Sequence, residues 1–178
     1  EPPEWFPAEA IDAQRTVLLV IDGLGWEQLK DREHLAPTLS AMAGLPIDSV
    51  CPTTTATALT SITTGKAPGE HGLIGYRMAV ESEVLNVLRW SVEGRDVKER
   101  FPPEKVQPHE SFCSQRPPAV IRAEHKTSGF TRAHLEGIRF NGFRVLSTLV
   151  TEALRLLREH EPFVYAYSDG LDKVSHEY

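Results

Sequence analysis

Asp22, the hydroxyl-rich segment Pro52-Thr53-Thr54-Thr55-Ala56-Thr57, and the pair Asp172 and His176 place carboxylates, hydroxyls and an imidazole at three separate points of the chain. Gathered around two metal ions, such groups would carry out phosphoryl transfer. Phosphate esters resist attack because their oxygens repel nucleophiles and the leaving alkoxide is poor, and two cations about 3.5–4 Å apart relieve both problems. Bound zinc lowers the pKa of water from about 15.7 to about 7, worth about 12 kcal/mol toward the anion at roughly 1.4 kcal/mol per unit. No single side-chain hydrogen bond approaches that. Asp, His and a hydroxyl suit zinc, whereas an all-carboxylate set would suit magnesium or calcium, so His176 favours zinc.

Each group follows an element able to position it. Val17 to Ile21 is a continuous apolar run of strand length, the pattern of a strand buried on both faces of a parallel sheet, and Gly23 and Gly25 break it just after Asp22. Ile47 to Val50 reads as a short strand leading into the threonines, and Ala58, Leu59, Ile62 and Thr63 give helical spacing up to Gly65. Phe163 to Tyr167 is a second apolar strand ahead of Asp169, Asp172 and His176. Further helices are expected over Trp26–Asp31, Pro37–Met42 and about Phe143 to His160, the last with Leu146, Leu149, Val150, Ala153, Leu154 and Leu157 on one face. Tyr76–Val80 and Val84–Trp90 read as a β-hairpin, and Ala119–Ile121 as a short strand. Thr131 reads as the cap of a short helix ending near Gly137, while residues 91–118 show no period. Alternating strands and helices imply an α/β sheet, which collects ligands at the carboxyl ends of its strands. That is where Asp22, Thr53 to Thr57, and Asp169 to His176 fall.

The chain of 178 residues suits one domain, with 1–15 a Pro-rich irregular lead-in and 16–178 the α/β unit. A net charge of -6 argues against a surface that coats nucleic acid, although metal ions could still bring a nucleotide to the site. Cys51 and Cys113 are far apart and belong to no ligand pattern. No stretch approaches the roughly 20 apolar residues of a membrane helix, and the first residues lack the regions of a signal peptide, which favours a cytoplasmic location. Oligomeric state is left open.

From residue types alone, Asp22 could be a turn residue and Thr55 a helix cap worth about 1 kcal/mol, with Thr53, Thr54 and Thr57 as rival hydroxyls. The ordered blocks narrow this. Val20-Ile21-Asp22-Gly23, Pro52-Thr53-Thr54-Thr55 running to Thr64-Gly65, Pro68-Gly69-Glu70-His71-Gly72, and Asp172-Lys173-Val174-Ser175-His176 resemble type I phosphodiesterase/nucleotide pyrophosphatase proteins of the alkaline phosphatase superfamily. The resemblance implies an alkaline-phosphatase-like, mainly parallel sheet sandwiched by helices. It also implies two divalent metal ions, with zinc favoured, a small phosphodiester or nucleotide substrate, and a covalent phosphothreonine intermediate. By motif, Asp22 and Thr55 would ligate one metal, Thr55 being the nucleophile, and Asp172 and His176 the other. The family completes its site with an Asp-His pair and a later His downstream of this last block, so residues 16–178 are expected to form an N-terminal portion of the full fold. Leu73-Ile74-Gly75-Tyr76 offers no Asn where many members contact phosphate, and Ser175 stands where Gly is common.

Other residues carry weaker expectations. Tyr76 and Trp90 could stack on an aryl leaving group or pack the hairpin. Asp169 reads as a turn residue, His71 as a structural hydrogen-bonding group, and His34, His109 and His125 as surface groups. A phosphomonoesterase or phosphotransferase is the neighbouring enzymatic alternative, and a non-catalytic phosphate- or metal-binding remnant is the alternative of a different class. A sulfatase does not fit, because Cys51-Pro52-Thr53-Thr54-Thr55 lacks the Cys-x-Pro-x-Arg pattern of its nucleophile.

Overall fold

The computed structural model describes residue 3 and residues 5–178. The elements begin with α1 (Ala8–Ile11), β1 (Thr16–Ile21), α2 (Trp26–Asp31), α3 (Pro37–Ser40), α4 (Thr55–Thr64) and α5 (Pro68–His71). Next come β2 (Arg77–Val80), β3 (Glu83–Asn86), β4 (Ser91–Val92), β5 (Arg95–Asp96), α6 (Pro103–Val106) and β6 (Pro118–Arg122). The chain continues through α7 (Gly129–His134), β7 (Arg139–Phe143), α8 (Leu146–Arg158), β8 (Phe163–Ser168) and α9 (Gly170–Glu177). No described helix is long and apolar enough to cross a membrane.

The main sheet has the order β1-β8-β6-β7 with every pairing parallel. Its interior strands are apolar without alternation because both faces are covered: Ala119, Val120 and Ile121 of β6 and Val164 to Tyr167 of β8 are all buried. The period of two sorts these side chains. Leu18, Val20, Ala119, Ile121, Tyr165 and Tyr167 join Ala56 and Leu59 of α4 and Phe130 and Ala133 of α7 on one face. Val17, Val120, Val164 and Ala166 meet Leu149, Ala153 and Leu156 of α8 on the other. A second, antiparallel sheet of order β2-β3-β4-β5 packs into the first cluster through Leu85, Val87 and Trp90.

Several sequence expectations are corrected. Ile47 to Val50 is not a strand; Ile47 is 61% exposed and no described strand pairs with this stretch, so it gains neither a ladder nor burial. Phe143, expected to open the long helix, instead ends β7, which runs over Arg139–Phe143 and whose apolar Phe140 and Phe143 point to opposite clusters and so show no alternation. The helix itself starts at Leu146 and buries Leu149, Ala153 and Leu156, while Val150 and Leu154, rotated off that stripe, and Leu146, at the first position of the helix, are exposed. The cap of α7 is Ser128, whose Oγ accepts from the Thr131 N–H at 3.0 Å. The lead-in contains a one-turn helix, α1, and the expected helix from Pro37 ends at Ser40 rather than Met42.

Trp90 is corrected as a substrate-stacking residue. It is fully buried, its Nε1–H donates to the Phe101 carbonyl at 2.7 Å, and its ring lies against Gly129. A Cβ on Gly129 would fall 2.2 Å from Trp90 Cγ, so the ring has no face left for a ligand. Gly129→Ala is therefore expected to lower stability by about 1–3 kcal/mol through overpacking. Gly69→Ala, where an added Cβ meets nothing within 4 Å, serves as the control in urea unfolding. Equal midpoints for the two variants would contradict this packing.

Candidate active site

Asp22 is the first residue past β1, and its N–H extends the parallel ladder by donating to the Ser168 carbonyl at 2.9 Å. Two residues beyond Val20, it shares that residue's face, to which the register also assigns Tyr167 as the partner of Val20. The Tyr167 hydroxyl donates to Asp22 Oδ2 at 2.7 Å. Burial, followed by the charge of Asp22, raises the phenol's pKa, so Tyr167 holds its proton and remains a donor.

The threonines separate into distinct roles. Thr54 is the N-cap of α4, its Oγ1 accepting from the Thr57 N–H at 3.4 Å and lying 3.0 Å from Thr57 Oγ1. Thr53 Oγ1 donates back to the Val50 carbonyl at 3.0 Å. Thr57 is fully buried. Thr55, the first helical residue, is left to face the sheet and donates from Oγ1 to Asp22 Oδ2 at 3.1 Å. The backbone N–H groups of Thr55 and Ala56 have no partner among the described residues, as expected at the start of a helix.

Asp172 and His176 lie one turn apart on α9, with His176 Nε2 3.6 Å from Asp172 Oδ1 and the His176 side chain 79% exposed. The approach of α9 to β1 depends on Gly23. This residue has φ +80°, and a Cβ on it would sit 2.8 Å from Asp172 Cα and 2.9 Å from Asp172 N. Backbone meets backbone at this junction, so a side chain there has no flexible neighbour to displace. Asp22, Thr55, Asp172, His176 and Tyr76 consequently line one cleft of about 940 Å³, within the size range of small-molecule sites.

These groups fit metal ions. Asp22 Oδ2 and Thr55 Oγ1, 3.1 Å apart, are near the spacing of two ligands on one tetrahedral zinc, whose bonds are about 2.0–2.2 Å. Asp172 and His176, 3.6 Å apart, can approach a second ion together after small side-chain rotations. A separate trio, Glu124, His125 and Asp169, also brings ligand-type atoms within 4.8 Å of one another. Its atoms are already engaged: Asp169 accepts from Arg122 Nε at 2.6 Å and pairs with His125 Nε2 at 3.0 Å and Lys173 Nζ at 2.8 Å. Lys173 also binds Glu124 at 2.8 Å.

Asp169 is thus no simple turn residue. It is 6% exposed, and although burial alone would raise its pKa, the bonds from His125, Lys173 and Arg122 hold it well below the usual carboxylate range. The network ties α9 to the end of β6, and it gives His125, expected as a surface group and still partly exposed, a fixed partner in Asp169. His71 behaves as a structural group. Its Nδ1 accepts from the Leu73 N–H at 3.1 Å, which leaves Nε2–H to donate to Ser61 Oγ at 2.9 Å, and burial lowers its pKa.

Sequence reasoning missed Tyr167, Gly23 and Asp169 as positioning residues. The available signal for Tyr167 was a phenol one residue from the carboxyl end of a strand whose edge faces the site. The close contact at Gly23 and the partners of Asp169 depend on chain segments far away in sequence.

A parallel sheet sandwiched by helices, with an Asp and a helix-starting Thr at the carboxyl edge, defines an alkaline-phosphatase-like α/β protein. The chain belongs to the type I phosphodiesterase / nucleotide pyrophosphatase family, whose model matches residues 16–178. That family supports hydrolase activity of the phosphodiesterase/pyrophosphatase type, is generally metal-dependent, and acts on small nucleotide-type substrates. No curated protein matches the chain.

The Gly23 junction can be tested against Gly65, which also has positive φ (+67°) but nothing within 4 Å of an added Cβ. Gly23→Ala should cost about 1–3 kcal/mol more than Gly65→Ala in denaturant unfolding. Matching losses would show that backbone strain alone matters and that Asp172 is not held against this turn.

Proposed function

We propose that the protein hydrolyses phosphodiester or pyrophosphate bonds of nucleotide-type substrates through a covalent intermediate on Thr55. The observation that carries this reading is the 3.1 Å bond from Thr55 Oγ1 to Asp22 Oδ2 in a cleft that also contains Asp172 and His176. Among the clustered threonines, Thr53 and Thr54 spend their hydroxyls locally and Thr57 is buried, so Thr55 is the hydroxyl facing a carboxylate across the cleft.

Asp22 and Thr55 would hold one divalent ion and Asp172 and His176 would contribute to holding a second, with zinc favoured by the imidazole. When bound, the ions supply charge neutralisation for the nucleophile, the phosphoryl oxygens and the leaving oxygen. Thr55 Oγ1 gives up its proton toward Asp22 Oδ2 and forms a bond to phosphorus as the bond to the leaving oxygen breaks. Solvent protonates the departing oxygen. Water then attacks the phosphothreonine, regenerating the hydroxyl and releasing the phosphate product. The unpartnered N–H groups at the start of α4 bind a non-bridging oxygen, aided by the positive end of the helix dipole. Tyr167 keeps Asp22 oriented by donating to the same oxygen that receives Thr55.

In the full-length protein, Thr55→Ala is expected to lower kcat on bis-p-nitrophenyl phosphate by on the order of 10³-fold or more. Metal content, read by mass spectrometry, should remain, because the other ligands persist. Undiminished turnover in this variant would remove Thr55 as nucleophile. Faster cleavage of p-nitrophenyl phosphate than of the diester by the unaltered protein would instead favour a phosphomonoesterase.

A further inference from the structure

Thr55 and Asp22 also border a second, smaller cavity of about 160 Å³ whose lining does not include Tyr76. Leu59, Leu88, Phe130, Leu135 and Tyr167 supply most of its wall. This volume is about that of buried apolar cavities that admit one six-membered ring. Because Asp22, Thr55 and Asp172 border both cavities, a group held here would remain attached to a phosphorus at Thr55 while the rest of the substrate occupied the open cleft. A phosphodiester has two arms, and the site has a cavity for each.

The polar groups on this second wall are nearly all matched to one another. Ser128 Oγ donates to Thr131 Oγ1 at 2.9 Å, Tyr167 binds Asp22, and His125 and Lys173 bind Asp169. His134 differs. It is 4% exposed, and its ring stacks on Phe130 with centroids 4.0 Å apart and planes inclined by 20°. Its Nδ1 lies 2.6 Å from the Phe130 carbonyl, which can only accept, so Nδ1 carries the ring proton. That fixes the tautomer and leaves Nε2 a bare lone pair with no partner among the described residues. Burial depresses the pKa to about 4, so the ring is a neutral acceptor at neutral pH.

We infer that His134 is a specificity-determining residue, its Nε2 accepting a hydrogen bond from an N–H or O–H on an uncharged, ring-sized arm of the substrate lodged in the cavity beside Thr55. The inference rests on the hydrolase reading for the identity of the substrate, but the cavity and its acceptor stand apart from that reading. A ring without a donor would strip Nε2 of water and give nothing back, the case in which a buried acceptor discriminates most strongly.

Two isosteric diesters test this in the full-length protein: 4-nitrophenyl 3-hydroxyphenyl phosphate and 4-nitrophenyl 3-methylphenyl phosphate. The hydroxylated substrate should have a kcat/KM higher by about tenfold. His134→Leu should bring the ratio to about one, and His134→Gln, whose Oε1 can still accept, should retain part of it. Thermal unfolding of both variants verifies that the fold is intact. In parallel, 3-methylphenol should shift the His134 Nε2 nitrogen resonance of the unaltered protein, and toluene should not. Cleavage of both diesters without preference, or a preference unchanged in His134→Leu, overturns the inference. Absence of cleavage with a selective shift of the His134 resonance would overturn the hydrolase reading and leave the cavity assignment standing. Absence of any shift overturns the assignment.

Discussion

The parallel pairing of β1 with β8 is the constraint on which the site depends. It joins segments separated by most of the chain, from Thr16 opposite Phe163 to Ile21 opposite Ser168. Because both strands run the same way, both release their following residues at the same edge. Asp22 therefore emerges beside Asp169, and the turn after β1 meets the first turn of α9. An antiparallel pairing would have placed these groups at opposite ends of the sheet. The pairing is held by burial of Val164 on one face and of Tyr165 and Tyr167 on the other, with the partly buried Val17, Leu18 and Val20 of β1 packed against the same two clusters. Each such side chain is worth about 1.5–3 kcal/mol when fully removed from water.

On that frame, small local choices set the chemistry. Gly23 lets two backbones touch, which brings Asp172 to Asp22 without an intervening side chain. Thr54 takes the helix cap, so that Thr55 is free to point at the carboxylate. The buried Asp169 receives three cationic or imidazole partners from separate elements and so fixes the root of α9. A carboxylate removed from water is tolerated only with such compensation, and losing one partner would leave the remainder strongly disfavoured. The network thus acts on Asp172 and His176 without touching the cleft's chemistry directly.

The two cavities differ in kind because different elements wall them. The open cleft lies between the turn after β1, the segment before α4, and Tyr76 at the start of the antiparallel sheet. The narrow cavity is closed by α7, whose Phe130 and His134 stack one turn apart and bring an imidazole into an apolar wall. Tyr76, whose hydroxyl accepts from Asn86 at 2.8 Å, stays exposed on the open side, while Trp90, assigned the same role from sequence, is consumed by the core.

The sequence by itself determined the fold class, the family and the elements whose signal is local. The runs at Val17 and Phe163 read as strands and both are, but β1, expected to be buried on both faces, is an edge strand with Leu19 46% exposed, and it is β8 that is covered on both sides. The bounds of α2 match the expected Trp26–Asp31. Helix α4, ended by Gly65 in a left-handed conformation, was legible from spacing and terminator alone. The ordered motifs grouped Asp22, Thr55, Asp172 and His176, and these four residues do line one cleft. Only the tertiary structure decided what depends on a distant partner. β7 exists because β6 is there to pair with it, and Ile47 to Val50 is no strand because no described strand adjoins it. Trp90 is core because Gly129 lies beneath it, and Asp169 is a buried anchor because Arg122, His125 and Lys173 converge on it. His134 carried no signal in sequence, since its burial, its stacking on Phe130 and its place in the cavity wall are properties of the surroundings. Local periodicity records what a residue prefers, whereas burial and bonding record what the rest of the chain brings to it.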